Sequence, residues 1–187
     1  IGLILGLVAG YVRVLDAVIM RTMDGLMSIP AILLAIALIS LSGATLGTVI
    51  LAIVIPEVPR VVRLVRAVVL TVREEPYVEA AIAAGTRLPL ILKRHILPNT
   101  IAPLIVQATY VCASAMLTES ILGFLGAGIP PEIPSWGNIM SEGRTYFQIS
   151  PWIIFFPGIG LALTVLAVNI VGDGLRDTLD PRIARKI

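Results

Sequence analysis

GLMSIPAILLAIALISLSGATLGTVILAIVIP, residues 25–56, carries no charged side chain. An ionised group at mid-bilayer costs at least about 2.5 kcal/mol, so a run of this length without one reads as membrane-embedded. Roughly 20 residues span the hydrocarbon, which makes the run too long for one helix and too short for two complete ones. It divides at Ser42-Gly43-Ala44-Thr45-Leu46-Gly47, where turn-forming residues cluster. The division predicts helices near 26–42 and 47–70, the second carrying Glu57, Arg60, Arg63 and Arg66 on its later half.

Working outward, three more charge-free runs lie at residues 1–12, 96–118 and 145–172. Together they predict an all-α, polytopic membrane protein with five crossings. The chain opens at Ile1, without methionine and inside an apolar run, which predicts an N-terminally truncated chain whose first crossing is incomplete. Composition agrees. Hydrophobic residues make up 57% and charged residues 14% of the 187, with a mean hydropathy of +0.97, against about 25% charged in soluble domains. A net charge of +2 is too small for a nucleic-acid partner. The single cysteine, Cys112, excludes an internal disulfide and reads as a small core residue.

The fourteen basic residues are sorted between the runs. Two lie in 13–24, none in 43–47, seven in 60–94, one (Arg144) in 119–151 and four in 176–186. By the positive-inside rule, 13–24, 60–94 and the C-terminus face the cytoplasm. Trp136, Tyr146 and Trp152 flank the outer connection, about 126–150, as aromatic anchors. In 13–24, Arg13, Asp16, Arg21 and Asp24 share a helix face, which fits either a surface amphipathic helix or an extension of the flanking helices. Arg60, Arg63, Arg66 and Arg73 also share a face, and lipid headgroups are their default contact.

The longest charged connection, about 73–95, contains Arg73-Glu74-Glu75-Pro76-Tyr77-Val78-Glu79-Ala80-Ala81-Ile82-Ala83-Ala84-Gly85-Thr86-Arg87. It reads as a helix from Pro76 or Tyr77, with acids before and within its first turn, ended or bent at Gly85. Its alanines leave almost no side-chain bulk on several faces. That suits close docking and equally suits plain helix propensity.

This segment resembles the EAA loop of ABC-transporter permeases: Glu-Ala-Ala, three residues, Gly, nine residues, Ile, one residue, Leu-Pro. Glu79-Ala80-Ala81, Gly85 and Leu97-Pro98 stand at those spacings, with His95 in place of the isoleucine. Tyr77-Val78 and Arg94-His95-Ile96-Leu97-Pro98-Asn99 resemble the version in permeases for dipeptides, oligopeptides and related solutes. So do Ala9-Gly10-Tyr11, Met20-Arg21 with Asp24, Ser28-Ile29-Pro30, Leu122-Gly123-Phe124-Leu125-Gly126, Pro134-Ser135-Trp136-Gly137 and Gly172-Asp173-Gly174-Leu175-Arg176-Asp177.

The resemblance implies a single type I ABC-importer transmembrane domain over 1–187, holding the last five of six helices, in the inner membrane. It implies a peptide or similar small solute as cargo, separate ABC ATPase subunits, a second permease subunit and an extracytoplasmic substrate-binding protein as partners. The coupling role falls on Glu79, Ala80, Ala81 and Gly85, with Thr86 and Arg87 beside them. Dipeptide, oligopeptide, glutathione and nickel-complex permeases share these motifs.

No phosphate loop is present, since Lys93 follows Leu92 and Lys186 follows Arg185, so the energy source is another polypeptide or there is none, and no catalytic residue or cofactor is expected. His95 is the only histidine and has no metal-ligand company; it reads as interfacial, with Pro98 suiting a helix start. Pro56-Glu57-Val58-Pro59 reads as an interruption of an apolar helix, with Glu57 either facing the pathway or pairing with Arg60. Glu119, just after the 96–118 run, is a candidate contact for a cationic substrate group. Asp173, Asp177 and Asp180, interleaved with Arg176 and Arg182 in a cytoplasmic tail of about 175–187, read as salt-bridging rather than metal-binding. The alternative function is an ion-gradient-driven transporter or channel in which Glu57 or Glu119 is the coupling acid.

Overall fold

A computed structural model describes residues 1–179. Helices follow in the order α1 (Gly2–Tyr11), α2 (Arg13–Met27), α3 (Ala31–Ser42), α4 (Leu46–Val72), α5 (Pro76–Ala83), α6 (Leu88–Ile91), a π-helical turn (Leu92–Ile96), α7 (Leu97–Phe124), α8 (Trp136–Gly143) and α9 (Trp152–Leu179). All four apolar runs are mainly helical, with breaks at 28–30, 43–45 and 145–151. Two helical stretches, Leu88–Phe124 and Trp152–Leu179, are long and apolar enough to cross a membrane alone, and α2 with α3 passes only when the two are taken together. α2 holds four charges, so α3 is its apolar half. α4 carries Glu57 and three arginines on its second half, and α1 has ten residues.

The described residues gather into two compact units. The first comprises 1–28, 57–108 and the end of α9 from Asp173; the second comprises Ile29–Pro56 and Thr109–Gly172. In the first unit, Gly2, Gly6 and Gly10 form a stripe with a four-residue period, facing Val61, Val65 and Val69 of α4 at the same period. A Cβ on Gly6 would lie 2.6 Å from Val65 Cβ, and one on Gly10 2.6 Å from Val69 Cβ. This is the small-residue packing that lets membrane helices approach closely where water exclusion gives no drive.

α2 is bound to α4 by charge. Arg66 grips Asp16 with two bonds, Nε to Oδ1 at 2.5 Å and Nη2 to Oδ2 at 2.6 Å, and Arg63 Nη2 donates to Asp24 Oδ1 at 2.5 Å. Hydrogen bonding from the Arg66 guanidinium holds the Asp16 carboxyl below the usual carboxylate range, against a weaker desolvation effect. Arg73 Nη1 donates to the Gly10 carbonyl at 3.2 Å, and Arg60 pairs with Glu57 at 2.8 Å. The default lipid-headgroup role for these four arginines is therefore corrected: each is engaged by a protein oxygen. The expected interruption at Pro56–Pro59 is corrected too, because α4 runs unbroken through both prolines.

In the second unit, Ala35, Ile39, Val49, Ala52, Leu122 and Ile129 form the core. α3 stops at Ser42, before Gly43 with φ +82°, and α4 restarts from a reciprocal cap. Thr48 N donates to Thr45 Oγ1 (3.2 Å) and Thr45 N to Thr48 Oγ1 (3.0 Å), satisfying two amides that the first turn leaves open. The outer connection is not all loop. Ser135 caps α8 by accepting from Asn138 N, and Asn138 Nδ2 donates to the carbonyls of Ile129, Pro130 and Ile133. Cys112 is exposed on α7, which corrects the expectation of a core residue. Of the salt bridges expected near the C-terminus, none joins Asp173, Arg176 or Asp177 to another of the described residues. Asp180 and Arg182 lie outside the described residues.

Candidate functional site

α5 is built as the sequence predicts. Glu75 is the N-cap, Pro76 supplies a pre-set φ at the first helical position, and Glu79 sits in the first turn, where the helix dipole favours a carboxylate. Gly85 ends the segment with φ +77°. The Thr86 amide then reaches back to the Ala81 carbonyl (3.0 Å) and the Gly85 amide to Ile82 (2.9 Å), a Schellman closure.

One side of α5 is anchored and the other is open. Val78 is fully buried in a cluster with Val65, Val69 and Val72 of α4, Ile91 of α6 and Ile96 of the π turn. Glu79, Ala80, Ala83, Ala84, Gly85 and Arg87 are exposed; Ala81 and Thr86 are half-buried. Tyr77, Ile82, Leu88 and Leu90 are exposed apolar side chains in the same stretch. A Cβ on Gly85 would meet nothing within 4 Å. Six of the eight site residues named from the sequence are thus brought into one surface patch. Its neighbour is a shallow cavity of about 390 Å³ lined by Arg87, Pro89, Leu90 and Lys93.

The two remaining candidates lie elsewhere in the chain. Glu57 Oε1 accepts from Arg60 one turn on. Glu119, in the second unit, has Oε1 buried without a hydrogen-bond partner, while its Oε2 accepts from Ser120 at 3.5 Å. A lone buried carboxylate oxygen is costly unless it is protonated or met from outside the chain.

Sequence reasoning did not anticipate the π turn or what surrounds it. The Tyr77 and His95 rings sit 5.8 Å apart at 48°, and Asn99 Nδ2 donates to the His95 carbonyl at 2.6 Å and to the Tyr77 hydroxyl at 3.4 Å. The only signal available was His95 standing where the motif has an apolar residue. Asn99 also lines a cavity of about 650 Å³ with Leu64, Pro98, Ala102, Gln107 and Arg176.

Helices long and apolar enough to cross a bilayer define a class, that of the integral membrane proteins. The chain belongs to the family described as the binding-protein-dependent transport system inner membrane component, which matches residues 2–185. It is a multi-pass inner-membrane protein. It is 60% identical over 178 residues to a probable peptide ABC transporter permease protein of Sinorhizobium fredii, covering 95% of this chain and 61% of that one. A dipeptide transport system permease protein of Alkalihalophilus pseudofirmus is 45% identical over 97% of this chain and 60% of its own. A glutathione transport system permease protein of Pectobacterium atrosepticum is 40% identical over 98% and 61%. The chain thus spans about three fifths of the length of these relatives.

Proposed function

We propose that this chain is the membrane-spanning subunit of an ATP-driven importer that moves peptides or related small solutes inward. It pairs with a second permease subunit, takes its cargo from an extracytoplasmic binding protein, and receives force through α5 from a separate ATPase subunit. The distribution of basic residues supports placing residues 13–24, α5, the π turn and the C-terminus in the cytoplasm. The observation that carries the reading is the two-sided build of α5: Val78 fully buried beneath, and Glu79, Ala80, Ala83 and Gly85 bare above. Such a face accepts a cleft closely, and Glu79 and Arg87 offer opposite charges to its walls.

On this reading Glu119 is the carboxylate offered to the pathway, its orphan oxygen suited to an ammonium group of a peptide. Pairing with Arg60 supports a structural role for Glu57. The ion-gradient alternative draws no support from the relatives. The test is Ala80→Trp, which adds bulk on an exposed helical position and leaves the packing under α5 alone. It should reduce co-purification with the ATPase subunit by at least about tenfold, as bulk in a closely packed interface does. Normal co-purification together with normal ATP-dependent uptake in proteoliposomes refutes the coupling role.

A further inference from the structure

Val78 fastens α5 to the helices beneath it, but a single apolar peg leaves rotation about itself free. A second attachment lies one residue away. Tyr77 is 45% exposed, so burial does not hold its ring. What holds it is the His95 ring at 5.8 Å on one side and the Asn99 amide at its hydroxyl on the other. Both partners belong to the start of the long run that leads into α7. His95 lies within the π turn Leu92–Ile96, and Asn99 Nδ2, by capping the His95 carbonyl at 2.6 Å, ties that turn to the first turn of α7. A π turn widens the helix by one residue per hydrogen-bonded loop and is frequent at functional sites. Asn99 is also part of the wall of the 650 Å³ cavity, next to Pro98 and Ala102.

We propose that Tyr77, His95 and Asn99 form a clip that converts displacement of α5 into rotation of the first turns of α7 and so into a change in that cavity wall. They are positioning residues. The inference rests on the reading of α5 as the coupling helix and adds the route by which its motion leaves it. Val78 sets the depth of α5, and the clip sets its angle.

The experiment uses the full importer, with both permeases, the ATPase subunits and the binding protein, in proteoliposomes containing a peptide substrate. Asn99→Ala and His95→Ala should lower solute taken up per ATP hydrolysed by about threefold to tenfold, the scale of networked coupling effects. ATPase association and hydrolysis rate should stay unchanged. His95→Phe, which keeps a ring against Tyr77, should restore most of the ratio. Tyr77→Phe combined with Asn99→Ala should lose no more than Asn99→Ala alone, because both remove the same bond. An unchanged ratio in Asn99→Ala and His95→Ala overturns the clip, as does additivity in the double variant. Should Asn99→Ala fail to fold, the His95→Ala and His95→Phe pair decides the matter by itself. If Ala80→Trp leaves ATPase association intact, the coupling reading itself has failed. If Ala80→Trp blocks association while the clip variants keep the normal ratio, only the clip has failed.

Discussion

Two segments leave their helices by the same stop and then diverge. α5 ends at Gly85 (φ +77°) and α7 ends at Gly126 (φ +79°), each closed by an amide reaching back to a carbonyl five residues earlier, Thr86 to Ala81 and Ala127 to Leu122. Around Gly85 the chain is open: the patch at 79–87 is largely exposed, and the contact at Tyr77 is made of one ring pair and one long hydrogen bond. Beyond Gly126 the chain is locked down. A Cβ on Gly128 would lie 2.5 Å from Gly123 Cα, one on Gly137 would lie 2.7 Å from the Ser120 carbonyl oxygen, and Asn138 bridges three carbonyls. Glycine at the first place gives a turn and a bare surface. Glycines at the second give backbone-to-backbone contact, which fixes α8 onto the end of α7. On the proposed reading the first segment is the one a partner moves, while the second is packed to hold its shape.

The contrast is broken most directly by adding bulk at matching points. Gly137→Val pushes a side chain into backbone that has no flexible end to yield, and should destabilise the chain by about 3 kcal/mol, the upper part of the overpacking range. Gly85→Ala meets no atom and bears only the left-handed backbone penalty of about 1 kcal/mol. Thermal unfolding of both variants in detergent checks the pair. Equal losses would mean that the outer segment is no more rigid than the coupling patch. A smaller effect comes from Asn138→Ala, which strips a donor from three carbonyls. At about 1–3 kcal/mol for buried groups left unsatisfied, a loss near 2 kcal/mol is expected, read as faster hydrogen exchange across 129–138. Unchanged exchange there would mean that the glycine contacts alone hold the connection.

What was legible in the sequence was whatever rests on neighbours along the chain. Gly85 as a stop, Pro76 as a start and the break after Ser42 depend on local backbone chemistry, and each appears where the residues predict it, whereas the helix expected near 26–42 begins only at Ala31, after Pro30, and α9 begins only at Trp152. The arginine face of α4 was visible on a helical wheel, but its partners were not. Asp24 and Asp16 lie 39 and 50 residues from Arg63 and Arg66, and periodicity reports a face without saying what meets it. Lipid was therefore the expectation where a second helix stands. The Gly2, Gly6, Gly10 stripe is readable from spacing alone, but the valines that meet it lie on another helix about 60 residues on. α8 was concealed by its composition, although Ser135 with Asn138 is a serviceable N-cap signal. The patch at 79–87 was found from its motif; the clip was not, because a ring contact between Tyr77 and His95 depends on a π turn that no local propensity announces.

The smallest expected effect bears on the first unit, to which α5 belongs. Asp16 has its carboxyl held down by Arg66, so the folded state binds a proton there less readily than the unfolded chain does. Its contribution is fully present above the unfolded value, about 3.9, and is lost as pH falls through the lower folded value. Both side chains remain partly exposed, at 24% for Asp16 and 30% for Arg66, which limits the contribution to less than about 1 kcal/mol. Asp16→Asn should lower stability at pH 7 by that amount and remove the corresponding part of the acid slope below pH 4, measured by urea unfolding in detergent. If the slope is unchanged, the Arg66 grip contributes position but no energy, and the attachment of α2 to α4 falls to Arg63–Asp24 and to the glycine-lined contact of α1 with α4.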